Sequence, residues 1–467
     1  MYSDTISAIS TALGEGGIGI VRLSGPEAFT ILKRIFRTPS GKRRNRFESH
    51  RLYYGQVVDP AKNVRDVLDE VMAVYLVPPR TYTREEMVEL NCHGGMVPLE
   101  RVLNLTLQQG ARQAEPGEFT LRAFLNGRID LAQAEAVVDV IRSKTGPGLE
   151  QALSQLAGNL SRRIAKVRQH LLSSLAWLEA MIDFPEDDVP PASIAPQLQQ
   201  TLTELNELLA TAEAGMIYRQ GIRAAIVGLP NVGKSSLLNA LLRADRAIVT
   251  PIAGTTRDVI EETVNIRGVP VVLVDTAGIT TTENIVEQLG IERSRQALSS
   301  ADLLLLVFDK SRPLLEGDLQ LLKAVQTELT ERPGKRACLV LNKDDISPSL
   351  LDQTQLNQLL PNVPIVEMSA LSGQNLHTLE EQMFRLALGG QNLAGQSLLI
   401  TNERHKRALE RAREHLTAAI TSSEALLPAD FVSIDLRLAM EALGEITGES
   451  VHDSLLKEIF ANFCIGK

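Results

Sequence analysis

The hydrophobic residues of the first part of the chain recur with two different periods. Short apolar or alternating runs at residues 17–24, 51–59, 70–77 and 87–91 are typical of β-strands, because successive side chains on a strand point to opposite faces. Residues 27–37 and 99–109 instead repeat their apolar positions at helical spacing. The pattern predicts a mixed α/β domain for residues 1–118.

Helical periodicity dominates two later stretches, residues 119–218 and 387–467. An acidic segment with three prolines, residues 184–191, interrupts the first stretch, because proline ends or kinks a helix. The second stretch has helical patterns at residues 431–443 and 455–463. We predict that both stretches belong to one helical domain that is discontinuous in sequence.

The region between them, residues 219–386, alternates apolar runs with helical stretches. Its runs lie at residues 223–227, 261–266, 269–274, 303–308, 337–341 and 365–368. This alternation predicts a parallel-type sheet covered by helices, inserted into the helical domain. The expected fold is therefore a multi-domain protein that combines α/β and all-α parts.

A glycine-containing loop, residues 228–235 with the sequence GLPNVGKS, follows the first of these runs and precedes a helix. Gly228 and Gly233 permit a backbone path in which N–H groups point at a polyphosphate, and the helix N-terminus adds partial positive charge. Lys234 can neutralise the β- and γ-phosphate oxygens, and Ser235 can offer its hydroxyl to Mg²⁺. The loop predicts a nucleoside triphosphate site.

Two further motifs indicate that the base is guanine. Residues 342–345, NKDD, follow the run at 337–341 and have the N-K-x-D form. Asp345 can accept hydrogen bonds from guanine N1–H and from the 2-amino group, which adenine cannot provide. Leaving such a carboxylate unpaired is costly, so guanine is favoured. Residues 369–371, SAL, are expected to offer a backbone N–H to guanine O6.

Two more segments supply residues that are expected to contact the γ-phosphate and Mg²⁺. Residues 275–278, DTAG, place Asp275 at a strand end, where it can hold the water shell of Mg²⁺, and the Gly278 N–H can meet the γ-phosphate. Residues 252–258, IAGTTRD, lie between the glycine loop and this motif and are the candidate switch I, in which Thr256 closes over Mg²⁺. Four motifs in this order predict a GTPase.

The residue after the DTAG motif is Ile279, where many GTPases have a glutamine that orients the attacking water. Isoleucine cannot do this. Asn231 is a candidate to coordinate a monovalent cation beside the phosphates, together with backbone carbonyls near Thr250 and Ile252. We therefore expect K⁺ to accelerate GTP hydrolysis more than Na⁺ does. The alternative for Asn231 is a loop residue that caps its own backbone.

Composition adds only coarse limits. A chain of 467 residues is too long for one hydrophobic core, and a net charge of −9 argues against a general nucleic-acid-coating protein. Cys92, Cys338 and Cys464 are too far apart for a zinc knuckle or a disulfide framework. The chain has no signal-peptide pattern at its start and no apolar run of 18 residues. We expect a soluble, cytoplasmic protein that does not bind a membrane.

These motifs, with others along essentially the whole chain, resemble the tRNA-modification GTPase family MnmE, also called TrmE. The other stretches are residues 17–25 (GIGIVRLSG), 91–95 (NCHGG), 116–127 (PGEFTLRAFLNG), 130–136 (DLAQAEA) and 463–467 (FCIGK). The resemblance implies an N-terminal tetrahydrofolate-binding domain that mediates dimerisation (1–118). It also implies a discontinuous helical domain (119–218 and 387–467) and an inserted Ras-like P-loop GTPase domain, the G domain (219–386).

The resemblance also implies a reaction. The protein would be a homodimer that acts on tRNA with an FAD-dependent partner, MnmG or GidA, in a heterotetramer or larger complex. Together they would place an aminomethyl or carboxymethylaminomethyl group on C5 of the wobble uridine, position 34. A tetrahydrofolate derivative, 5,10-methylene or 5-formyl, would supply the methylene carbon. GTP, Mg²⁺ and K⁺ would be the other cofactors.

Site residues follow from the resemblance position by position. Arg22, Arg128 and Lys467, with Glu89, would contact the folate, since arginines suit its carboxylates and Glu89 suits the N–H donors of the pterin. The K⁺ ligands would be Asn231, Thr250, Ile252 and Thr255, and the Mg²⁺ ligands Ser235 and Thr256. The GTP-binding residues would be Asn231, Val232, Gly233, Lys234, Ser235, Ser236, Thr250, Pro251, Ile252, Ala253, Gly254, Thr255, Thr256, Asp275, Thr276, Ala277, Gly278, Asn342, Lys343, Asp345, Ser369, Ala370 and Leu371.

Four residues are the catalytic candidates: Glu287, Lys234, Thr256 and Cys464. Glu287 would help position water, and its alternative is a glutamate on a helix surface. The Cys464 thiolate could add to uridine C6, and its alternative is a cysteine buried against Phe460 and Phe463. Two other functions stay open: a regulatory GTPase of ribosome assembly with an N-terminal interaction module, and a dimerising scaffold whose shape GTP switches.

Overall fold

Two units make up the computed structural model of the chain. The terminal unit comprises residues 1–138 and 441–467, and the central unit comprises residues 139–440. The structure describes residues 3–61, 66–183, 194–244, 261–275, 298–390 and 400–467. No helix in these ranges is both long and apolar enough to cross a lipid bilayer.

A seven-stranded sheet forms the frame of the terminal unit, with the strand order β3-β4-β5-β6-β2-β1-β7. Its strands are β1 Ile6–Ile9, β2 Gly19–Ser24, β3 Phe36–Arg37, β4 Leu52–Val58, β5 Val67–Leu76, β6 Met87–Cys92 and β7 Arg112–Gln113. Helices α1 Ala28–Ile35 and α2 Met96–Gln108 bury their apolar residues in one core with alternate residues of the strands. The other residues of each strand point to the opposite face.

The predicted mixed α/β domain is confirmed, and four of these strands lie where the pattern placed them. The sequence pattern does not predict β1, β3 or β7, which have four, two and two residues. Elements this short show too few periods of alternation to be recognised. The helical region after residue 118 begins with α3 Glu118–Leu125, α4 Leu131–Arg142, α5 Gly146–Leu156 and α6 Asn159–Asp183, of which α5 and α6 belong to the central unit.

The central unit adds two more helices, α7 Ala195–Ala210 and α8 Ala212–Gln220, and then a six-stranded sheet of order β13-β12-β11-β8-β10-β9. Its strands are β8 Ile222–Val227, β9 Glu261–Ile266, β10 Val269–Asp275, β11 Leu303–Asp309, β12 Arg336–Asn342 and β13 Ile365–Glu367. The helices within this region are α9 Lys234–Ala244, α10 Glu316–Glu331, α11 Gln353–Leu359 and α12 Leu376–Ala387.

Two apolar cores cover the two faces of this sheet. Along β11, for example, Leu303 and Leu305 belong to one core, whereas Leu304 and Leu306 belong to the other. All seven residues of β11 are buried, which explains its continuous apolar sequence. The predicted parallel sheet is confirmed with one correction: β9 pairs antiparallel with β10, because a tight turn rather than a helix joins them.

The chain ends in three helices, α13 Glu403–Glu424, α14 Ala429–Thr447 and α15 Asp453–Ala461. The last of these belongs to the terminal unit, where Phe460 and Phe463 pack with Leu131 and Ala134 of α4. Residues 462–467, which we call the C-terminal tail, therefore lie in the same unit as β1 and β2. The predicted acidic turn at 184–191 lies outside the described residues.

Candidate functional site

The glycine loop lies between the carboxyl end of β8 and the start of α9, as the sequence predicts. Asn231 and Gly233 have left-handed backbone angles, with φ of 64° and 99°. A Cβ atom added to Gly233 would lie 2.1 Å from Asn342 Nδ2, so only glycine fits there. Lys234 Nζ donates to the carbonyl oxygen of Leu229 at 2.9 Å, which holds the lysine across the loop.

Asn342 connects this loop to the predicted base-binding loops. Its side chain is buried, and its Nδ2 donates to the carbonyl oxygen of Val232 at 2.8 Å. Its Oδ1 accepts from the amide of Ala370 at 2.9 Å. The parallel strands β8, β12 and β13 end at the same edge of the sheet, which brings the three loops together.

The predicted guanine-binding segment uses two of its amides within the protein. The Ser369 amide donates to the carbonyl oxygen of Gln374 at 3.1 Å, and the Ala370 amide donates to Asn342. Leu371 is 86% exposed. The segment is thus a fixed turn whose exposed end, at Leu371, faces outward from the core.

Lys343 and Asp345, two of the three charged side chains of the N-K-x-D loop, differ in their contacts. Lys343 Nζ lies 2.6 Å from Asp309 Oδ2 at the end of β11. Burial by itself would raise the pKa of Asp309, but the hydrogen bonds from Lys343 and Ser311 and the positive charge of Lys343 together outweigh it and lower that pKa. Asp345 is exposed, and within the part of the chain that the structure describes it has no hydrogen-bond or ion-pair partner. Its carboxylate is therefore available to a base.

Several predicted nucleotide residues are not described. Asp275 ends β10, and only its backbone is described. The residues outside the described ranges are Thr250, Pro251, Ile252, Ala253, Gly254, Thr255, Thr256, Thr276, Ala277, Gly278 and Glu287. Of the proposed metal ligands, Asn231 and Ser235 are described, and both are exposed at the loop and at the start of α9. Amide and hydroxyl oxygens in these positions fit a monovalent cation and Mg²⁺ respectively.

The terminal unit brings together the four residues predicted to contact folate. Arg22 on β2 pairs across the sheet with Glu89 on β6, with its Nε and a terminal nitrogen each 2.8 Å from Glu89 Oε1. Arg128 lies over the ring of Tyr82, with its Cζ 4.7 Å from the ring centroid, and Arg22 lies 5.7 Å from the same ring. The guanidinium groups of Arg22 and Arg128 therefore both lie close to the Tyr82 ring.

The C-terminal tail supplies the fourth residue. The carbonyl oxygen of Gly466 accepts from Arg22 at 3.4 Å. Burial lowers the pKa of Lys467, and the positive charge of Arg22 lowers it further, against smaller opposing effects of Cys464 and Glu89. Gly466 has φ of 91°, and a Cβ atom there would lie 2.2 Å from the carbonyl oxygen of Ile9. The tail is thus fitted tightly beside β1.

Cys464 is exposed, whereas Phe460 and Phe463 are buried and pack against each other, with ring centroids 5.1 Å apart and ring planes tilted by 35°. The alternative in which Cys464 is buried against these rings is therefore wrong. The Cys464 carbonyl oxygen accepts from the Gly117 amide at 3.3 Å, which fixes its backbone while its thiol faces solvent.

The motif at residues 91–95 contains a pair that sequence reasoning missed. His93 Nδ1 lies 2.5 Å from Asp69 Oδ1, and the His93 amide donates to Asp69 Oδ2 at 2.8 Å. The hydrogen bond that the Asp69 carboxylate accepts from the ring raises the pKa of His93. Asp69 lies on β5 and is buried, so only the paired register of β5 and β6 reveals the contact.

Comparison with known proteins gives consistent matches over the whole chain. Residues 5–128 match the model "GTP-binding protein TrmE N-terminus", and residues 131–464 match "MnmE helical domain". The tRNA modification GTPase MnmE of Alkaliphilus oremlandii is 48% identical over 100% of both chains. That of Geobacillus kaustophilus is 49% identical over 99% of both chains.

Part of the chain also matches a solved structure. Era from Aquifex aeolicus is 28% identical to the chain, and the alignment covers 42% of this chain and 67% of the Era chain, with a TM-score of 0.29.

Proposed function

The chain belongs to the MnmE family of tRNA modification GTPases. From this premise we propose which function each region of the chain performs. It is a GTP hydrolase that acts in tRNA modification. In the proposal, residues 1–118 bind tetrahydrofolate and dimerise, residues 219–386 form the G domain, and residues 119–218 with 387–467 form the helical domain. The product is an aminomethyl or carboxymethylaminomethyl group on C5 of the wobble uridine of certain tRNAs.

The observation that carries the GTPase part is the double hydrogen bond of Asn342. One side chain fixes the glycine loop through Val232 and the guanine loop through Ala370, at 2.8 and 2.9 Å. Because one side chain holds both loops, the arrangement supports a single nucleotide that spans them, with its phosphates near Lys234 and its guanine near Asp345. Mg²⁺ held by Ser235 and Thr256 would neutralise phosphate charge, and Glu287 would help position the attacking water.

K⁺ takes the place of the missing glutamine in this proposal. Asn231 is exposed, so its side-chain oxygen can reach a cation beside the phosphates. GTP hydrolysis should be faster in KCl than in NaCl at equal ionic strength. Equal rates in both salts would contradict the K⁺ site and would leave the GTPase assignment intact.

The arrangement of charges in the terminal unit supports a folate site. Both Arg22 contacts use Glu89 Oε1, so among the described atoms Glu89 Oε2 remains to accept from N–H donors of a pterin. The guanidinium groups of Arg22 and Arg128 and the Lys467 ammonium suit the carboxylates of a folate. Tyr82 offers an aromatic surface between the arginines.

We further propose that the chain works as a cytoplasmic homodimer with the FAD-dependent MnmG on its tRNA. Oxidation and reduction belong to that partner, while this chain supplies the folate, the nucleotide switch and the exposed thiol of Cys464. The thiolate would add to uridine C6 and make C5 more nucleophilic.

Nucleoside analysis of tRNA from cells that lack the protein tests the whole proposal. The modified wobble uridine should be absent, and should return when the wild-type gene is restored. Restoration with Cys464→Ser should leave GTP hydrolysis normal and the uridine unmodified, and full modification would remove the role of the thiol. Normal wobble uridines with defective ribosome subunits would favour the regulatory GTPase. Modification by a variant that cannot hydrolyse GTP would favour the scaffold.

A further inference from the structure

A lysine that no nucleotide motif includes lies beside the proposed guanine site. Lys310 follows the last residue of β11, and its amide donates to the carbonyl oxygen of Asn342 at 3.0 Å. Its own carbonyl oxygen accepts from the amide of Leu350 at 3.0 Å. These two hydrogen bonds fix the Lys310 backbone beside the start of the N-K-x-D loop. The position of the Lys310 Cα and Cβ atoms is therefore well defined.

The Lys310 ammonium joins two carboxylates from different elements. Its Nζ lies 2.5 Å from Asp344 Oδ1 and also contacts Glu367 Oε2. The Lys310 side chain is only 14% exposed, so water and salt screen these pairs less than they screen a pair on the open surface. Glu367 ends β13, which leads directly into the segment 369–371. Lys310 therefore ties β11 to both loops that would surround guanine.

The neighbouring side chains of Asp344 and Asp345 differ in their hydrogen-bond partners. Both carboxylate oxygens of Asp344 are occupied, since Oδ1 contacts Lys310 and Oδ2 accepts from Gln374 Nε2 at 3.3 Å. Asp345 is exposed and has no partner in the ranges that the structure covers. The ammonium group thus removes one of two adjacent carboxylates from competition for the base.

We propose that Lys310 is a positioning residue for guanine specificity: it holds Asp344 and Glu367 so that Asp345 alone is presented to the purine. This inference rests on the proposed function, because it requires a guanine nucleotide in the site. Without the ammonium, Asp344 and Glu367 would be two partly buried carboxylates with no counter-charge. They would turn toward water, and the loop that orients Asp345 would move with them.

Competition binding to the full-length protein with GTP and ITP tests this role. ITP lacks the 2-amino group, so it loses one of the two hydrogen bonds to Asp345. The wild type should bind GTP more tightly than ITP by about ten- to hundredfold, the usual contribution of one hydrogen bond to a charged group. In Lys310→Met the GTP affinity should fall by about tenfold and the GTP-to-ITP ratio should approach one. Lys310→Arg, which keeps the charge, should retain most of the ratio.

The control is Lys323→Met, at an exposed position of α10, which should change neither affinity. A purely structural role for Lys310 would weaken GTP and ITP equally and leave their ratio unchanged, and this result in folded Lys310→Met would overturn the inference. If Lys310→Met does not fold, Lys310→Gln provides the decision, because it removes the ammonium charge and keeps a polar side chain beside Asp344 and Glu367. An unchanged ratio there would overturn it too. A wild type that binds ATP as well as GTP would contradict the proposed function instead.

Discussion

Asn342 is the residue on which the geometry of the nucleotide site depends most directly. It is 2% exposed and is the hydrogen-bond partner of two backbone groups, the carbonyl of Val232 and the amide of Ala370. Asn342→Ala should leave both groups without a partner, and each unsatisfied buried group costs about 1–3 kcal/mol. We therefore expect a lower melting temperature and weaker GTP binding, measured by calorimetry on the purified protein.

The matched control for this substitution is Asn357→Ala. Asn357 is exposed on α11, and alanine is the better helix former, so stability should stay the same or rise slightly. Normal stability in Asn342→Ala would contradict the bridging role. Lower stability with unchanged GTP affinity would mean that the two loops keep their positions by other contacts.

The role of a residue could be predicted from the sequence where a short motif contains all the residues on which that role depends. The glycine loop and the N-K-x-D loop each carry their own backbone requirements and charges, and both lie where the strand pattern placed them. Lys310 and Tyr82 could not be found in this way. Their roles depend on partners 34 and 46 residues distant in sequence, Asp344 and Arg128, that only the folded sheets bring near.

At the scale of elements, strands with long apolar runs were predictable, and the two-residue strands β3 and β7 were not. All seven residues of β11 are buried, so its apolar run is unmistakable. β7 has two exposed residues, Arg112 and Gln113, and is a strand only because it pairs with β1. The antiparallel pairing of β9 was missed because its alternation looks the same in either direction.

The C-terminal tail is the element whose placement is most sensitive to a single residue. Gly466→Ala adds a Cβ atom 2.2 Å from the carbonyl oxygen of Ile9, at a φ of 91° that alanine rarely adopts. The tail should lift from β1 and remove Lys467 from Arg22. Binding of 5-formyltetrahydrofolate, measured by isothermal titration calorimetry, should weaken by at least about tenfold, or 1.4 kcal/mol, while GTP binding should not change.

Gly17→Ala is a suitable comparison in the same unit, because a Cβ atom there meets nothing within 4 Å. It should bind the folate as the wild type does. Normal folate affinity in Gly466→Ala would show that the tail does not contribute to the site, whereas a parallel loss of GTP binding would indicate general unfolding.

At the scale of the molecule, each unit holds its own candidate site and its own ion-pair cluster. In the terminal unit, Arg122 is fully buried and contacts Asp4 and Glu118 at 2.9 Å and Glu85 at 3.2 Å. Burial by itself would raise the pKa of Glu118. Hydrogen bonds from Arg112, from the Glu115 amide and from Arg122, with the positive charge of Arg122, more than offset this and lower that pKa. The pKa of Asp4 is lowered in the same way.

A carboxyl group whose pKa is lower in the folded than in the unfolded state stabilises the fold above its unfolded pKa. That stabilisation is lost as the pH falls through the folded value. The urea midpoint of the terminal unit should therefore fall between about pH 5 and pH 3. Glu118→Gln should flatten this dependence and cost about 1.5–3 kcal/mol at pH 7, because it removes charged hydrogen bonds.

Urea unfolding followed by circular dichroism measures this dependence, and fluorescence of Trp177, the one tryptophan of the chain, reports on the central unit separately. The comparison variant is Glu100→Gln, at an exposed position of α2, which should keep the wild-type dependence on pH. If Glu118→Gln keeps it as well, the acid sensitivity arises from other carboxylates. Glu367 of the central unit, whose pKa the hydrogen bond from Lys310 lowers, would be the next to test. A change seen only in Trp177 fluorescence would assign the acid transition to that unit, and with it to the nucleotide site rather than the folate site.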